Sequence, residues 1–399
     1  MPSFSVYDEL ARRILVLDGG LGTMIQRYGF GESDYRGERF ADWTVPLTGC
    51  NDLLVLTRPE AVARVHEAYL RAGADIITTD TFNANAISLA DYALGEYVYE
   101  INRQAAALAR TLADRYTTSD PSKPRFVAGS VGPTNRTASL SPDLYDPAAR
   151  SVTFAELAQT YHEQIRGLID GGADLILIET FFDALNAKAA LYALDELNAR
   201  SGGSIPAMIS GTLTDASGRT LAGQTLEAFY DSVRRGSTLS VGLNCGLGAQ
   251  QMLPFLERIA RVADCAVSVH PNAGLPNGSG GYDETPESMA GAIEEYLRQG
   301  LLNIVGGCCG TTPAVIGAIA AVAARYVPRP IPALSTLSRL SGLEDLTLPP
   351  DAPFLLIGGL ANTDRADFAG KIRSGQYESA LGQVSGQLNG GAQLMGVCL

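Results

Sequence analysis

Apolar positions along the first 326 residues follow a repeating order. A short run rich in β-branched or leucine side chains ends in polar residues, and a longer amphipathic stretch follows. The runs are ILVLD (14–18), ADIITTD (74–80), RFVAGS (125–130), ADLILIE (173–179), IPAMISG (205–211), STLSVGLN (237–244), AVSVHPN (266–272) and LLNIVGG (301–307). Their length and side chains predict strands. Between them, PEAVARVHEAYLRAG (59–73) opens on a first-turn proline and stops at Gly73, as helices do. TFAELAQTYHEQIRGLIDGG (153–172) places Thr153 at capping-box spacing from Glu156 and ends on two glycines. TPESMAGAIEEYLRQG (285–300) repeats both signals, and further helices are predicted at 96–116, 183–199, 225–235, 249–263 and 312–326.

Eight alternating strand and helix units predict a (β/α)8 TIM barrel. A doubly wound sheet is the alternative. It would more often follow its first strand with G-x-G-x-x-G, whereas DGGLGTM lacks the last glycine of that turn. The barrel is assigned to 1–326. Residues 327–353, rich in Pro, Ser and Leu without a sustained period, read as a linker laid over it. The tail, 354–399, reads as strand, helix, helix, strand: a short C-terminal α/β extension with little core of its own.

Charge and composition narrow the function. The net charge of −13 leaves no basic patch for nucleic acid or an anionic membrane. MPSFSVYDELARR lacks the basic-then-apolar order of a signal peptide, and no apolar run reaches the ~18 residues that span a bilayer. Six cysteines in a chain of 399 residues do not make a disulfide framework, so reduced thiols and a cytoplasmic location are expected.

In a barrel, chemistry collects at the C-terminal strand ends. Those ends carry Asp18, Thr79–Asp80, Glu179–Thr180, Asn244–Cys245, His270–Asn272 and Cys308–Cys309. The vicinal pair in VGGCCGTTP cannot readily form a disulfide with itself. Together with Cys245 it offers three thiolates to one zinc ion and leaves a fourth, catalytic position open. Gly306, Gly307 and Gly310 are expected to permit the unusual backbone this requires. Such a centre suits a substrate thiol, which it would bind as thiolate and leave nucleophilic. The chemistry expected is transfer of an electrophilic group onto that thiol, with no protein nucleophile. Asp18 and Glu179 are read as holding a substrate ammonium group. His66 and His162 fall inside amphipathic helices and read as packing or surface residues, while His270 is open between packing and a substrate-side role. Cys50, Cys265 and Cys398 read as small apolar residues. The GLGAQQ turn is either an anion cradle or a plain helix start.

The motifs LDGGLGTMIQ, GSVGPTNRTASLSP, DLILIETFFDALNAKAA, SGTLTDASGRTLAGQT, GLNCGLGAQQ, HPNAGLPN and VGGCCGTTP together resemble the homocysteine-binding domain of cobalamin-dependent methionine synthase, over about residues 8–326. The resemblance implies zinc on Cys245, Cys308 and Cys309, and homocysteine bound through sulfur with its amino group on Asp18 and Glu179. It implies methylcobalamin as methyl donor, here expected on a separate corrinoid protein in trans. The N-C-G and G-G-C-C-G patterns are shared by the wider homocysteine S-methyltransferase group. A small donor such as S-methylmethionine, or a non-catalytic homocysteine- or zinc-binding role, therefore stays open. Two departures stand out. Where the family shows E-T-N-T-F, this chain has Thr78-Thr79-Asp80-Thr81-Phe82. The tail resembles a degenerate start of the folate-binding domain, with Ile357-Gly358-Gly359-Leu360-Ala361-Asn362 in place of I-G-E-R-T-N.

Overall fold

The computed structural model describes residues 5–146, 148–275, 281–333, 336–351 and 353–398. Pro276 and Asn277 of the HPNAGLPN motif and Leu399 of the tail lie outside them. The chain divides into two compact units, Met1–Leu346 and Thr347–Leu399.

The first unit is the (β/α)8 barrel. Its strands are β1 (Leu15–Val16), β2 (Ile76–Thr78), β3 (Phe126–Val131), β4 (Leu175–Phe181), β5 (Ala207–Gly211), β6 (Thr238–Gly248), β7 (Ala266–Asn272) and β8 (Ile304–Val305). The crossover helices are α1 (Pro59–Ala72), α2 (Val98–Ser119), α3 (Phe154–Asp170), α4 (Ala184–Ser201), α5 (Leu226–Val233), α6 (Ala249–Val262), α7 (Pro286–Arg298) and α8 (Pro313–Ala323). The sheet order is β1-β8-β7-β6-β5-β4-β3-β2 with every neighbouring pair parallel. Between β1 and β2 the ring is joined by an isolated bridge, Leu17↔Ile76.

Alternation along the strands builds two apolar layers. Leu175 and Leu177 pack inside the barrel with Leu17, Ile76, Phe126 and Met208. Ile176 and Ile178, one residue out of step, pack against the helices. Val6 and Leu10 of the N-terminal helix Val6–Arg12 join the inner cluster. The capping signals act as written: Thr153 with Glu156 and Thr285 with Ser288 both close capping boxes.

The stretch after Tyr326 is more ordered than its composition suggests. The buried Arg329 guanidinium donates to the carbonyls of Ala260, Ala263 and Cys265. Two short strands, β9 (Ser338–Ser341) and β10 (Asp345–Leu348), then pair with each other. Arg339 of β9 reaches Asp231 of α5 at 3.1 Å. No alternation marked these strands, because each has only four residues and most of their side chains are exposed.

The second unit follows the predicted order. It has β11 (Ile357–Asn362), α9 (Ala366–Arg373), α10 (Tyr377–Asn389) and β12 (Leu394–Cys398), with β11 and β12 parallel. Its core is small, comprising Ala361, Phe368 and Ala380 with Ile372 and Val384 against them. Cys398, expected to be packed away, is exposed there, whereas Cys50 and Cys265 are buried as expected.

His66 of α1 is fully buried, and neither ring nitrogen has a hydrogen-bond partner among the described residues. Burial lowers its pKa from 6.5 to about 4, so the folded protein holds it neutral. The unfolded chain takes up the proton first as pH falls. The stability this neutrality protects is fully present above pH 6.5 and is lost progressively towards pH 4. The shift corresponds to roughly 3 kcal/mol. His66→Leu is expected to flatten the acid limb of stability in urea titrations between those pH values; an unchanged limb would place the acid sensitivity elsewhere.

Candidate functional site

A cavity of about 420 Å³ opens at the C-terminal end of the barrel, lined among others by Asp18, Glu179, Cys245, His270, Cys308 and Cys309. The predicted strand-end residues therefore meet in one place.

Cys245 lies within β6 rather than after it. Pairing of β6 with β7 runs to Asn244↔His270, breaks, and resumes at Gly248↔Asn272, so β6 carries extra residues in a bulge. In that bulge Cys245 has φ +56° and Gly246 φ +65°. The left-handed turn re-aims the cysteine, and a Cβ on Gly246 would lie 2.2 Å from the Leu213 carbonyl oxygen. The Cys308–Cys309 pair is held by its backbone. Cys308 N–H donates to the Pro271 carbonyl at 2.8 Å, and Cys309 N–H donates to Asn272 Oδ1 at 3.2 Å. Of the three glycines expected to bend this loop, only Gly310 is left-handed, at φ +78°. Gly306 and Gly307 are needed for space instead: a Cβ on them would sit 2.7 Å from Leu17 Cβ and 2.2 Å from the Thr311 side chain.

The three sulfurs form a compact triangle. Cys245 Sγ and Cys308 Sγ each lie 4.0 Å from Cys309 Sγ, and all three fall within 4.8 Å of one another. Tetrahedral zinc with ~2.3 Å bonds to sulfur needs sulfurs ~3.8 Å apart, so the donor set and spacing fit that ion. Among themselves, the Cys308 and Cys309 thiols hydrogen-bond to the Cys245 sulfur and draw its pKa far down, while the same bonds push Cys308 up.

The acids stand beside this cluster. Asp18, buried, accepts from Thr78 N–H at 2.8 Å and from the Thr78 hydroxyl at 3.0 Å. Glu179 accepts from the Ser130 hydroxyl at 2.6 Å. Burial pushes Glu179 up to about 7 against the pull of the Ser130 bond, with the Cys245 charge adding to the rise. Burial also raises Asp18, and the neighbouring Glu179 adds repulsion. Among the described residues no cation lies against the ionised forms of Asp18 and Glu179.

Asn244 was given no role by its position before Cys245, yet it links the two halves. Its side-chain amide donates to Thr180 Oγ1 at 2.7 Å and approaches Cys308 Sγ at 3.9 Å, while its oxygen accepts from Thr180 N–H at 2.8 Å. Thr180 sits at φ +65°, so the residue after Glu179 is fixed to the strand that carries Cys245. His270 is buried in the same wall and held neutral, its pKa lowered to about 4 by burial, with Nε2 unpartnered among the described residues. At the start of α6, Gly248 N–H donates to Gln251 Oε1 of the same helix at 3.1 Å. His162 lies on the partly exposed face of α3 near Arg200, outside this cavity.

Comparison with solved structures agrees with the architecture. The metallated form of the homocysteine methyltransferase MmuM from Escherichia coli is 24% identical over 79% of this chain and 98% of that one, with a TM-score of 0.59. Its oxidised form gives 24% identity over 79% and 97%, with a TM-score of 0.60. These likenesses speak to the fold. The model of the family described as homocysteine S-methyltransferase matches residues 15–323, from the first residue of β1 to the last of α8. The barrel that carries the cysteine triangle is thus matched from end to end, and the chain belongs to the homocysteine S-methyltransferase family.

Proposed function

We propose that this methyltransferase is zinc-dependent and forms methionine from homocysteine, with the metal on Cys245, Cys308 and Cys309 and the substrate amino group between Asp18 and Glu179. The observation that carries the reading is the triangle of three sulfurs sharing one cavity with Asp18 and Glu179, two acids that lack a cation among the described residues. Zinc bound there supplies a Lewis-acidic fourth position that lowers the pKa of a substrate thiol from its usual ~8.5. The rest falls to the chain. Thr78 and Ser130 orient the two carboxylates, and an ammonium group between them would relieve their mutual repulsion. Cys245 is fixed by its bulge and Cys308 and Cys309 by β7, so the sulfurs need little rearrangement to hold the reacting thiolate in place. In the transfer, the homocysteine sulfur forms a bond to the methyl carbon, and the bond from that carbon to its carrier breaks with its electron pair left on the carrier.

The sequence resemblance supports methylcobalamin on a separate corrinoid protein as the donor. S-methylmethionine is the alternative, and a non-catalytic homocysteine- or zinc-binding module is the reading without turnover. Zinc content measured alongside methionine formation, with each donor supplied in turn, separates them. One zinc per chain with turnover supports the proposal and identifies the donor. Zinc and homocysteine binding without turnover on either donor would favour the binding module, and a zinc-free protein would overturn the metal assignment.

A further inference from the structure

The motif SGTLTDASGRTLAGQT, residues 210–225, supplies no residue to the cavity. It closes β5 and forms the loop that leads to α5. The near end of that loop is packed into the barrel mouth. Thr212 N–H donates to the Phe181 carbonyl of β4 at 3.0 Å. Leu213 then lies against the β6 bulge, where its carbonyl takes the space a Cβ on Gly246 would need, with Thr212 Oγ1 3.0 Å from the same point. The far end turns back on itself. Thr220 N–H donates to the Gln224 carbonyl at 2.9 Å, and Gly223 N–H to the Thr220 carbonyl at 2.8 Å.

This far end is fastened by β9 and the turn that follows it. Thr225, the cap of α5, donates its N–H to the Leu343 carbonyl at 2.9 Å, and Gln224 Nε2 donates to the Gly342 carbonyl at 2.8 Å. Arg219 pairs with Glu344 and also donates to the Gly223 carbonyl at 2.9 Å. Below them Ser341 meets the Ser232 hydroxyl at 2.8 Å and donates to the Ala228 carbonyl, both on α5, next to the Arg339–Asp231 pair. The bulge needs support of this kind. Cys245 at φ +56° holds a conformation that side chains disfavour, and such residues persist only where their surroundings fix them. On one side stands β7, which pairs with β6 up to Asn244 and again only from Gly248. On the other stands the Thr212–Leu213 segment.

We infer that residues 339–344 are a strap that holds Cys245 in its aimed position through the β5–α5 loop, which makes Arg219, Gln224 and Glu344 positioning residues for the sulfur triangle. The chain of contact runs from strap to loop, from loop to bulge, and from bulge to sulfur. The effect on a bound metal rests on the zinc reading; the hold on the bulge does not. Loosening the strap frees the Leu213 carbonyl to move off Gly246, and the turn that aims Cys245 then loses one of its two walls.

The test takes the whole protein and its Arg219→Ala and Glu344→Ala variants, and follows zinc release to a chelator together with amide hydrogen exchange. Each variant is expected to release zinc about threefold faster, the scale of one exposed ion pair. The double variant should be no faster than the quicker single, because both cut the same link. Arg219→Lys, which keeps the charge, should restore most of the wild-type rate. Thr212 and Gly248 have hydrogen-bonded amides on either side of the Leu213 contact, and their exchange should quicken in the same variants with or without metal. Arg39→Ala breaks a comparably exposed pair with Glu100 of α2 and should change neither readout. Release and exchange that both alanine variants leave unchanged, or that Arg39→Ala quickens equally, would overturn the strap. So would quicker exchange at Thr212 with Gly248 and zinc release unmoved, which would leave the strap holding only the loop. A wild type without zinc would remove the metal reading, and exchange at Gly248 would then decide the strap alone.

Discussion

Replacing Cys308 with alanine is expected to abolish stoichiometric zinc and methionine formation together. The substitution removes one of three sulfurs that lie within 4.8 Å of one another, and no other Cys, His or acid joins that cluster among the described residues. Loss of a group that merely orients a ligand costs ~10- to 100-fold in metal affinity; loss of the ligand itself should exceed that. The fold should survive, because the sulfur faces the cavity and Cys308 is held by its backbone bond to Pro271 at 2.8 Å, which alanine keeps. Metal analysis and turnover on the same preparation decide the matter. A variant that retained both would mean that the triangle is not the metal site.

The next largest effect is expected at the acids. Asp18→Asn and Glu179→Gln should each weaken homocysteine binding at least ~30-fold while leaving one zinc per chain. Removing one partner of a buried charge-assisted pair costs ~2–5 kcal/mol, and ~1.4 kcal/mol is tenfold. At position 18 the amide can keep its oxygen on Thr78 N–H and donate its NH2 to the Thr78 hydroxyl, so the loss reports the missing charge and not a broken bond. Retained zinc with lost substrate affinity separates this role from metal binding. Unchanged homocysteine affinity in both variants would remove the ammonium assignment.

The barrel was legible because its elements are local statements. Each predicted strand overlaps an observed one, although β1 and β8 keep only two residues in ladder form. Helix starts were legible from their caps, as at Thr153 and Thr285. The cysteines and acids were legible because a barrel sends every strand end to one face. What stayed hidden depends on partners distant in sequence. Asn244 gains its role only when β6 lies beside Thr180, 64 residues away. The bulge that aims Cys245 exists only against β7. The glycines of the cysteine loop were recognised as necessary, but for backbone freedom at all three, when two of them are there to make room.

The join between β1 and β2 gives the substrate acids a mechanical meaning. Among the described residues that seam has the bridge Leu17↔Ile76, with bonds from Asp18 N–H to the Ile76 carbonyl at 3.0 Å, from Asp75 N–H to the Val16 carbonyl at 2.7 Å and from Val16 N–H to Asp75 Oδ2 at 2.9 Å. The longest joints, such as β6 with β7, run over several residues. Asp18 sits on the seam and fastens it once more through Thr78. A ligand that ties Asp18 to Glu179 on β4 would therefore act as a clasp across the part of the ring with the shortest ladder. Amide hydrogen exchange at Leu17, Asp18 and Thr78 should be faster than in the β5–β7 arc of the free protein, and should slow when homocysteine is bound. Catching the substrate and shutting the barrel would then be one event.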